Sequence, residues 1–276
     1  MNGLGSNTCI QDAFNLAWKI AFVHRGLAPP SLLLSYSTER QPVGQSIITR
    51  ANQAFRDHFG VWDAMGMLPE EASARKELFQ ELASATPEGQ KRRLAFQESV
   101  LHTSHEFHGL GIEMGQVYTG QGIFDADEPH KYVLPGRSSE DAALYYEPST
   151  YPGCRLPHAW LNKSVPRKAI STIDLAGHGA FAIFSGVGGD HWKSAAGRVA
   201  AKLGIPLAAY SIGFRQDWED VYFAWAQLRG VAESGAVLVR PDRFVAWRAP
   251  EVLASVDECE AKLTEVMRAV LGYGST

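Results

Sequence analysis

The chain has 276 residues, 45% hydrophobic and 20% charged, the balance of a folded protein with room for one large domain or two modest ones. Its net charge of -4 offers no basic field for nucleic acid or an anionic membrane. No apolar stretch nears the ~20 residues of a membrane-spanning helix, the opening lacks the basic start of a signal peptide, and the three cysteines, Cys9, Cys154 and Cys259, form no C-x-x-C. A cytoplasmic protein in a reducing compartment is expected.

In chain order, residues 1–8 read as a glycine-punctuated turn running into a helix. The apolar positions of that helix, Ile10, Ala13, Phe14, Ala17, Ile20 and Ala21, recur with helical spacing. Gly26 is placed to stop it, and Pro29 and Pro30 bar its continuation. Ser31 can cap a second helix with Leu32, Leu33 and Tyr36 on its apolar side, ended or kinked by Pro42. A further helical run passes through Ile47, Ile48, Ala51, Ala54 and Phe55. Helices are predicted over 70–83 and 86–101, the latter opening at Thr86-Pro87-Glu88, a cap followed by proline. Its Lys91-Arg92-Arg93 run reads as a solvated face. Residues 119–152, rich in Gly, Pro and acids, read as a connection lying across a surface.

Beyond it, strands are predicted over 169–175, 180–184, 207–212, 236–239 and 244–247, the last after the turn residues Pro241-Asp242-Arg243. Helices fit around 192–203, 218–228 and 250–271. The order strand, helix, strand, helix, hairpin, helix is a thioredoxin-like α/β pattern. The position of a thioredoxin's redox cysteine reads Ser185-Gly186-Val187-Gly188-Gly189-Asp190, so redox activity is not expected.

Five stretches carry a specific resemblance. Asn2-Gly3-Leu4-Gly5-Ser6-Asn7-Thr8 leads to Gln11-Asp12-Ala13-x-Asn15-Leu16-Ala17-Trp18-Lys19. Leu33-x-x-Tyr36-Ser37-x-Glu39-Arg40-x-Pro42 follows, then Gly111-x-x-x-Gly115-Gln116-x-Tyr118 and Pro152-Gly153-x-Arg155-Leu156-Pro157-His158. The series closes with 237–248, VLVRPDRFVAWR. In this order they resemble the C-terminal portion of group A FAD-dependent aromatic monooxygenases, of the phenol and chlorophenol hydroxylase type. The resemblance implies an α/β chain: a helical remnant of an FAD-binding domain over 1–118, a connecting segment over 119–152, and a thioredoxin-like domain lacking C-x-x-C over 153–276.

By the same resemblance, Gly3, Leu4, Gly5, Ser6 and Asn7 would line the flavin of FAD. Glycines permit close approach of a flat ring, and the helix N-terminus favours negative charge on its pyrimidine edge. NAD(P)H would be the hydride donor, and a small phenolic molecule the substrate to be hydroxylated. The G-x-G-x-x-G turn that holds the ADP part of FAD in the family has no counterpart here; Gly186-Val187-Gly188-Gly189 lacks the full fingerprint. The chain therefore reads as a flavoprotein entered partway through its cofactor domain, expected to be inactive alone, with no catalytic acid or base to assign. The alternative is a non-catalytic assembly or dimerisation partner built on the thioredoxin-like domain, forming a homo-oligomer or contacting a full-length homologue. Helices within 6–60 would then expose apolar faces.

Two further patterns are set aside. His102, His105 and His108 form H-x-x-H-x-x-H, but on a helix the third lies about 240° round from the first, so no metal site is expected. Glu39 and Arg40 read as an ion pair on a helix surface.

Overall fold

A computed structural model describes residues 4–273; Gly3 lies outside them. The first half is helical. α1 (Leu4–His24) starts earlier than the expected turn allows, so Leu4, Gly5, Ser6 and Asn7 are its opening residues. It ends as foreseen, where Gly26 takes a left-handed φ of 70° and the Leu27 N–H reaches back to the Phe22 carbonyl. A 3-10 turn at Pro30–Leu33 leads into α2 (Leu34–Ala64). Two expectations change here. α2 is a single helix of 31 residues that passes through Pro42. Its neighbours Glu39, Arg40 and Val43 are buried, and that packing outweighs the hydrogen bond a proline removes. Ser31 caps no helix, and its hydroxyl donates instead to the Gly272 carbonyl at 3.1 Å.

α3 (Ala72–Leu82) and α4 (Pro87–His102) fall close to prediction, with Thr86 Oγ1 accepting from the Gly89 N–H at 3.2 Å. Arg92 and Arg93 do more than meet solvent. They donate to the carbonyls of Asp63 and Leu82, at the ends of α2 and α3 where cations are favoured. α5 (Ser104–Phe107) and α6 (Leu110–Met114) complete this half.

The second half runs β1 (Trp160–Asn162), β2 (Ile170–Ser171), α7 (Thr172–Leu175), β3 (Phe181–Ser185), α8 (Asp190–Leu203), β4 (Leu207–Ser211), β5 (Glu219–Asp220), α9 (Ala224–Leu228), β6 (Ala236–Val239), β7 (Val245–Ala249) and α10 (Val256–Leu271). The main sheet has the order β4-β3-β6-β7. β3 is parallel to β4 and antiparallel to β6, and β6 is antiparallel to β7. This is the expected thioredoxin-like topology, a right-sized βαβ unit followed by a hairpin. Two expected elements differ. Residues 169–175 are extended only at β2. There Ser171 Oγ accepts from the Ile173 N–H while the Ser171 N–H donates to Asp174, a capping box that turns the chain into α7. Residues 218–228 are helical only at α9.

β3 is buried along its whole length, as fits a sheet covered on both faces. Phe181 and Ile183 point into one core, Ala182 and Phe184 into the other. The first core joins the sheet to α8 and α10 through Trp192, Val199, Leu263 and Val266, and it also takes in Trp18 and Phe22 of α1. The Trp18 ring meets those of Phe22 and Phe181 edge-on at 5.5 and 5.6 Å. The stretch 119–152 holds only a short 3-10 turn at Gly136–Ser139. It runs along β7, where Asp127 accepts from Trp247 Nε1 at 2.7 Å and Glu128 pairs with Arg248 at 2.6 Å. No helix of the described residues is long and apolar enough to cross a membrane.

Candidate functional site

Gly5, Ser6 and Asn7 are exposed. A Cβ placed on Gly5 would have no neighbouring heavy atom within 4 Å. The first N–H groups of a helix have no intrahelical partner, so among the described residues the front of α1 is an exposed, electropositive tip that a flat ring could approach. The residues present therefore fit the flavin edge that the resemblance implies. Gly186 sits between β3 and α8, where an added Cβ would collide with the Glu233 carbonyl.

The orientation of α1 matches the exposed apolar faces expected of helices within 6–60. Its apolar stripe faces outward, with Ile10 64%, Phe14 44% and Ile20 50% exposed. The opposite face, carrying Asn15, Trp18, Lys19 and Phe22, is buried. Helical spacing identifies an apolar face but not its partner, and here charged groups on the other face found better ones.

Those groups form a buried polar knot that fixes α1 in place. Glu39, 2% exposed, accepts from Asn15 Nδ2 at 2.7 Å, from Lys19 Nζ at 2.7 Å and from the two terminal nitrogens of Arg240 at 2.6 and 2.8 Å. Arg240 is fully buried and also donates to both oxygens of Asp242, at 3.0 and 2.6 Å. Arg40 extends the network, donating to Asp12 at 2.6 Å and to Gln116 and the Tyr118 hydroxyl, each at 3.0 Å. The reading of Glu39 and Arg40 as a surface ion pair is thus corrected: both are buried, Glu39 pairing with Lys19 and Arg240, and Arg40 with Asp12. Buried charges persist where they are paired and hydrogen-bonded, and here two carboxylates answer the charges of Lys19 and Arg240.

The charge balance sets the protonation. Burial would raise Glu39, but Arg240 and Lys19 hold it below the usual carboxylate range. Burial, seconded by Arg240, pushes Lys19 down to about 8 despite Glu39. Burial would lower Arg240, but Asp242 and Glu39 raise it instead. Burial and Asp242 lift Tyr118 to about 12, so it stays a neutral phenol.

All five resemblance stretches meet here. Gln11 to Lys19, Glu39-Arg40, Gln116 to Tyr118 and Arg240 to Asp242 supply the knot. Pro152-Gly153 supports it, since the Tyr118 N–H donates to the Gly153 carbonyl at 2.9 Å. Gly153 has φ 95°, and a Cβ there would strike the Tyr118 carbonyl oxygen, which explains glycine at this point. Lys19 and Arg240 were not singled out from the sequence. The available signal was a charge inside an apolar run, as in Val237-Leu238-Val239-Arg240.

The three histidines do not converge. His102 faces Asp57 at 3.2 Å and His105 faces Asp141 at 2.6 Å. Among the described residues no group of three metal-ligating side chains comes together.

Comparison with known proteins agrees with this geometry. The family model described as the FAD binding domain matches residues 1–51, and that described as the C-terminal domain of aromatic-ring hydroxylases matches 149–273. Phenol 2-monooxygenase of Pseudomonas sp. (strain EST1001) is 41% identical over 256 residues, covering 92% of this chain and 41% of that protein. Over nearly its whole length the chain matches the C-terminal portion of FAD-dependent aromatic-ring hydroxylases. A 2,4-dichlorophenol 6-monooxygenase of Cupriavidus pinatubonensis is 38% identical, covering 99% of this chain and 44% of that relative. The crystal structure of the flavin-dependent monooxygenase PieE in complex with FAD and substrate superposes with a TM-score of 0.88 at 38% identity, covering 99% of this chain and 45% of that one. The chain thus spans less than half the length of these hydroxylases and corresponds to their C-terminal portion.

Proposed function

We propose that this chain is the flavin-edge and C-terminal portion of an FAD-dependent aromatic monooxygenase acting on a small phenol in the cytoplasm. Gly3, Leu4, Gly5, Ser6 and Asn7 line the flavin, with 1–118 as partial FAD-binding domain, 119–152 as connection and 153–276 as thioredoxin-like domain. The observation that carries the reading is the open tip of α1, anchored from behind by the knot at Asn15 and Lys19. FAD bound there, reduced by NAD(P)H, supplies oxygen activation for hydroxylating the phenol. The chain's own part is to orient. N–H groups at the tip offset negative charge on the pyrimidine edge, Gly5 admits the ring, and the knot keeps the tip from tilting.

The test is titration of FAD against the chain, followed by flavin fluorescence. Weak but saturable quenching, reduced by Gly5→Val and by Asn7→Ala, is expected. Absence of saturable quenching, or indifference to both substitutions, overturns the flavin assignment. A second reading, an assembly partner for another copy or a full-length homologue, is favoured by the outward stripe at Ile10, Phe14 and Ile20. Sedimentation of the chain with and without such a homologue tests it; a monomer that ignores the homologue refutes it.

A further inference from the structure

A cavity of about 420 Å³ lies between α2, α6, the 132–149 stretch and the turn at Cys154-Arg155. That is the size of a small-molecule site. Ile112, Met114 and Leu134 give it apolar walls, and Tyr132 and Tyr146 give it aromatic ones. Arg155 is its one lining cation among the described residues, and Glu147 its one lining carboxyl.

Arg155, half-buried, differs from the buried Arg40 and Arg240. Arg40 and Arg240 are paired and hydrogen-bonded. The Nε and Nη2 of Arg155 are buried with no hydrogen-bond partner, and its guanidinium rests near the Phe244 ring at 5.1 Å. Burial pushes its pKa down, yet a guanidinium keeps its charge at neutral pH. A partly buried cation without a counter-ion still carries a desolvation cost. Arg155 lines the cavity, and a guanidinium's planar fork matches a carboxylate, so an anion entering here would supply the ion pair that no described carboxylate makes with it. The apolar and aromatic walls select against a strongly hydrated ion such as phosphate. Glu147 disfavours a second negative charge.

We propose that this cavity binds a small aromatic monocarboxylate, with its carboxylate on Arg155 and its ring against Tyr132 and Tyr146. The site is separate from the flavin reading, because none of Gly5, Ser6 and Asn7 lines the cavity.

Calorimetric titration of the chain at pH 7 with benzoate tests this, with phenol, cyclohexanecarboxylate and inorganic phosphate in parallel. Benzoate is expected to bind saturably at one site, at least ten-fold more tightly than any of the other three. Arg155→Met should weaken benzoate binding at least ten-fold. Leu134→Trp, which adds bulk to the cavity wall and leaves Arg155 in place, should do the same, and it decides the matter if Arg155→Met does not fold. Absence of saturable benzoate binding, or binding unchanged in the variants, overturns the proposal. So does phosphate, phenol or cyclohexanecarboxylate binding as tightly as benzoate.

Discussion

Glu39→Gln is the sharpest probe of the knot, because it keeps the side chain's shape and removes its charge. Glu39 accepts hydrogen bonds from Asn15, Lys19 and Arg240. Its side chain and those of Lys19 and Arg240 have no exposed surface. After the substitution, Asp242 alone faces two buried cations. Breaking a buried pair by removing one partner costs about 3–5 kcal/mol, a large share of the roughly 5–15 kcal/mol by which a domain is folded. With a urea slope near the upper end of ~1–3 kcal/mol per molar, the unfolding midpoint should fall by about 1–2 M. Arg198→Ala serves as control, since Arg198 pairs with Asp257 at the surface and exposed pairs contribute little. A Glu39→Gln midpoint indistinguishable from the parent's, with Arg198→Ala unchanged, would refute the claim that this carboxylate neutralises the core.

The same knot predicts an alkaline response. Lys19 titrates near 8 when folded against 10.5 in the unfolded chain, so between those values the unfolded chain holds more protons and stability rises with pH. Below about 8 both states are protonated and Lys19 contributes no slope. Glu39→Gln removes an influence that raises Lys19, so the rise should begin at lower pH in that variant; urea midpoints measured from pH 7 to 10 that start to rise no earlier than the parent's would contradict this. The two glycines of opposite character should also separate. Gly153→Ala places a Cβ at φ 95° against the Tyr118 carbonyl and should cost at least about 2 kcal/mol, from ~1–2 kcal/mol of left-handed strain plus the collision. Gly5→Ala meets open space and should stabilise α1 by roughly 0.5–1 kcal/mol. Thermal melts that rank the two the other way would dismiss the argument.

The sheet was legible because its apolar runs at 180–184, 207–212, 236–239 and 244–247 are short, dense and punctuated. The flanking helices α8 and α10 were legible because each has one clean apolar side. Segment 169–175 reads as a strand by its hydrophobicity, although Ser171 and Asp174 already carry the capping box that turns it into α7. The sequence leaves Pro42 to end or kink its helix, because a proline's local effect can be read there, while the burial of Glu39 and Val43 that lets the helix continue cannot. The site was half legible. The resemblance pointed to the tip of α1, and exposed apolar faces were expected within 6–60, as Ile10, Phe14 and Ile20 show, but the sequence could not name what buries the opposite face. Nor could it say that Lys19 and Arg240, 221 positions apart, share one carboxylate, since such long-range pairing leaves no periodic trace. Arg155 belongs to one of the resemblance stretches, but that two of its nitrogens lack a hydrogen-bond partner depends on what is not beside it in space.

Trp18 and Phe22 lie in the same core as Phe181, with a consequence for recombining relatives of this chain. A crossover placed in the 119–152 stretch would pair one parent's aromatic plug with another parent's socket. Hybrids that inherit the leading helix and the terminal module from the same parent should fold, whereas those that split the two should expose an ill-fitting seam and tend to precipitate.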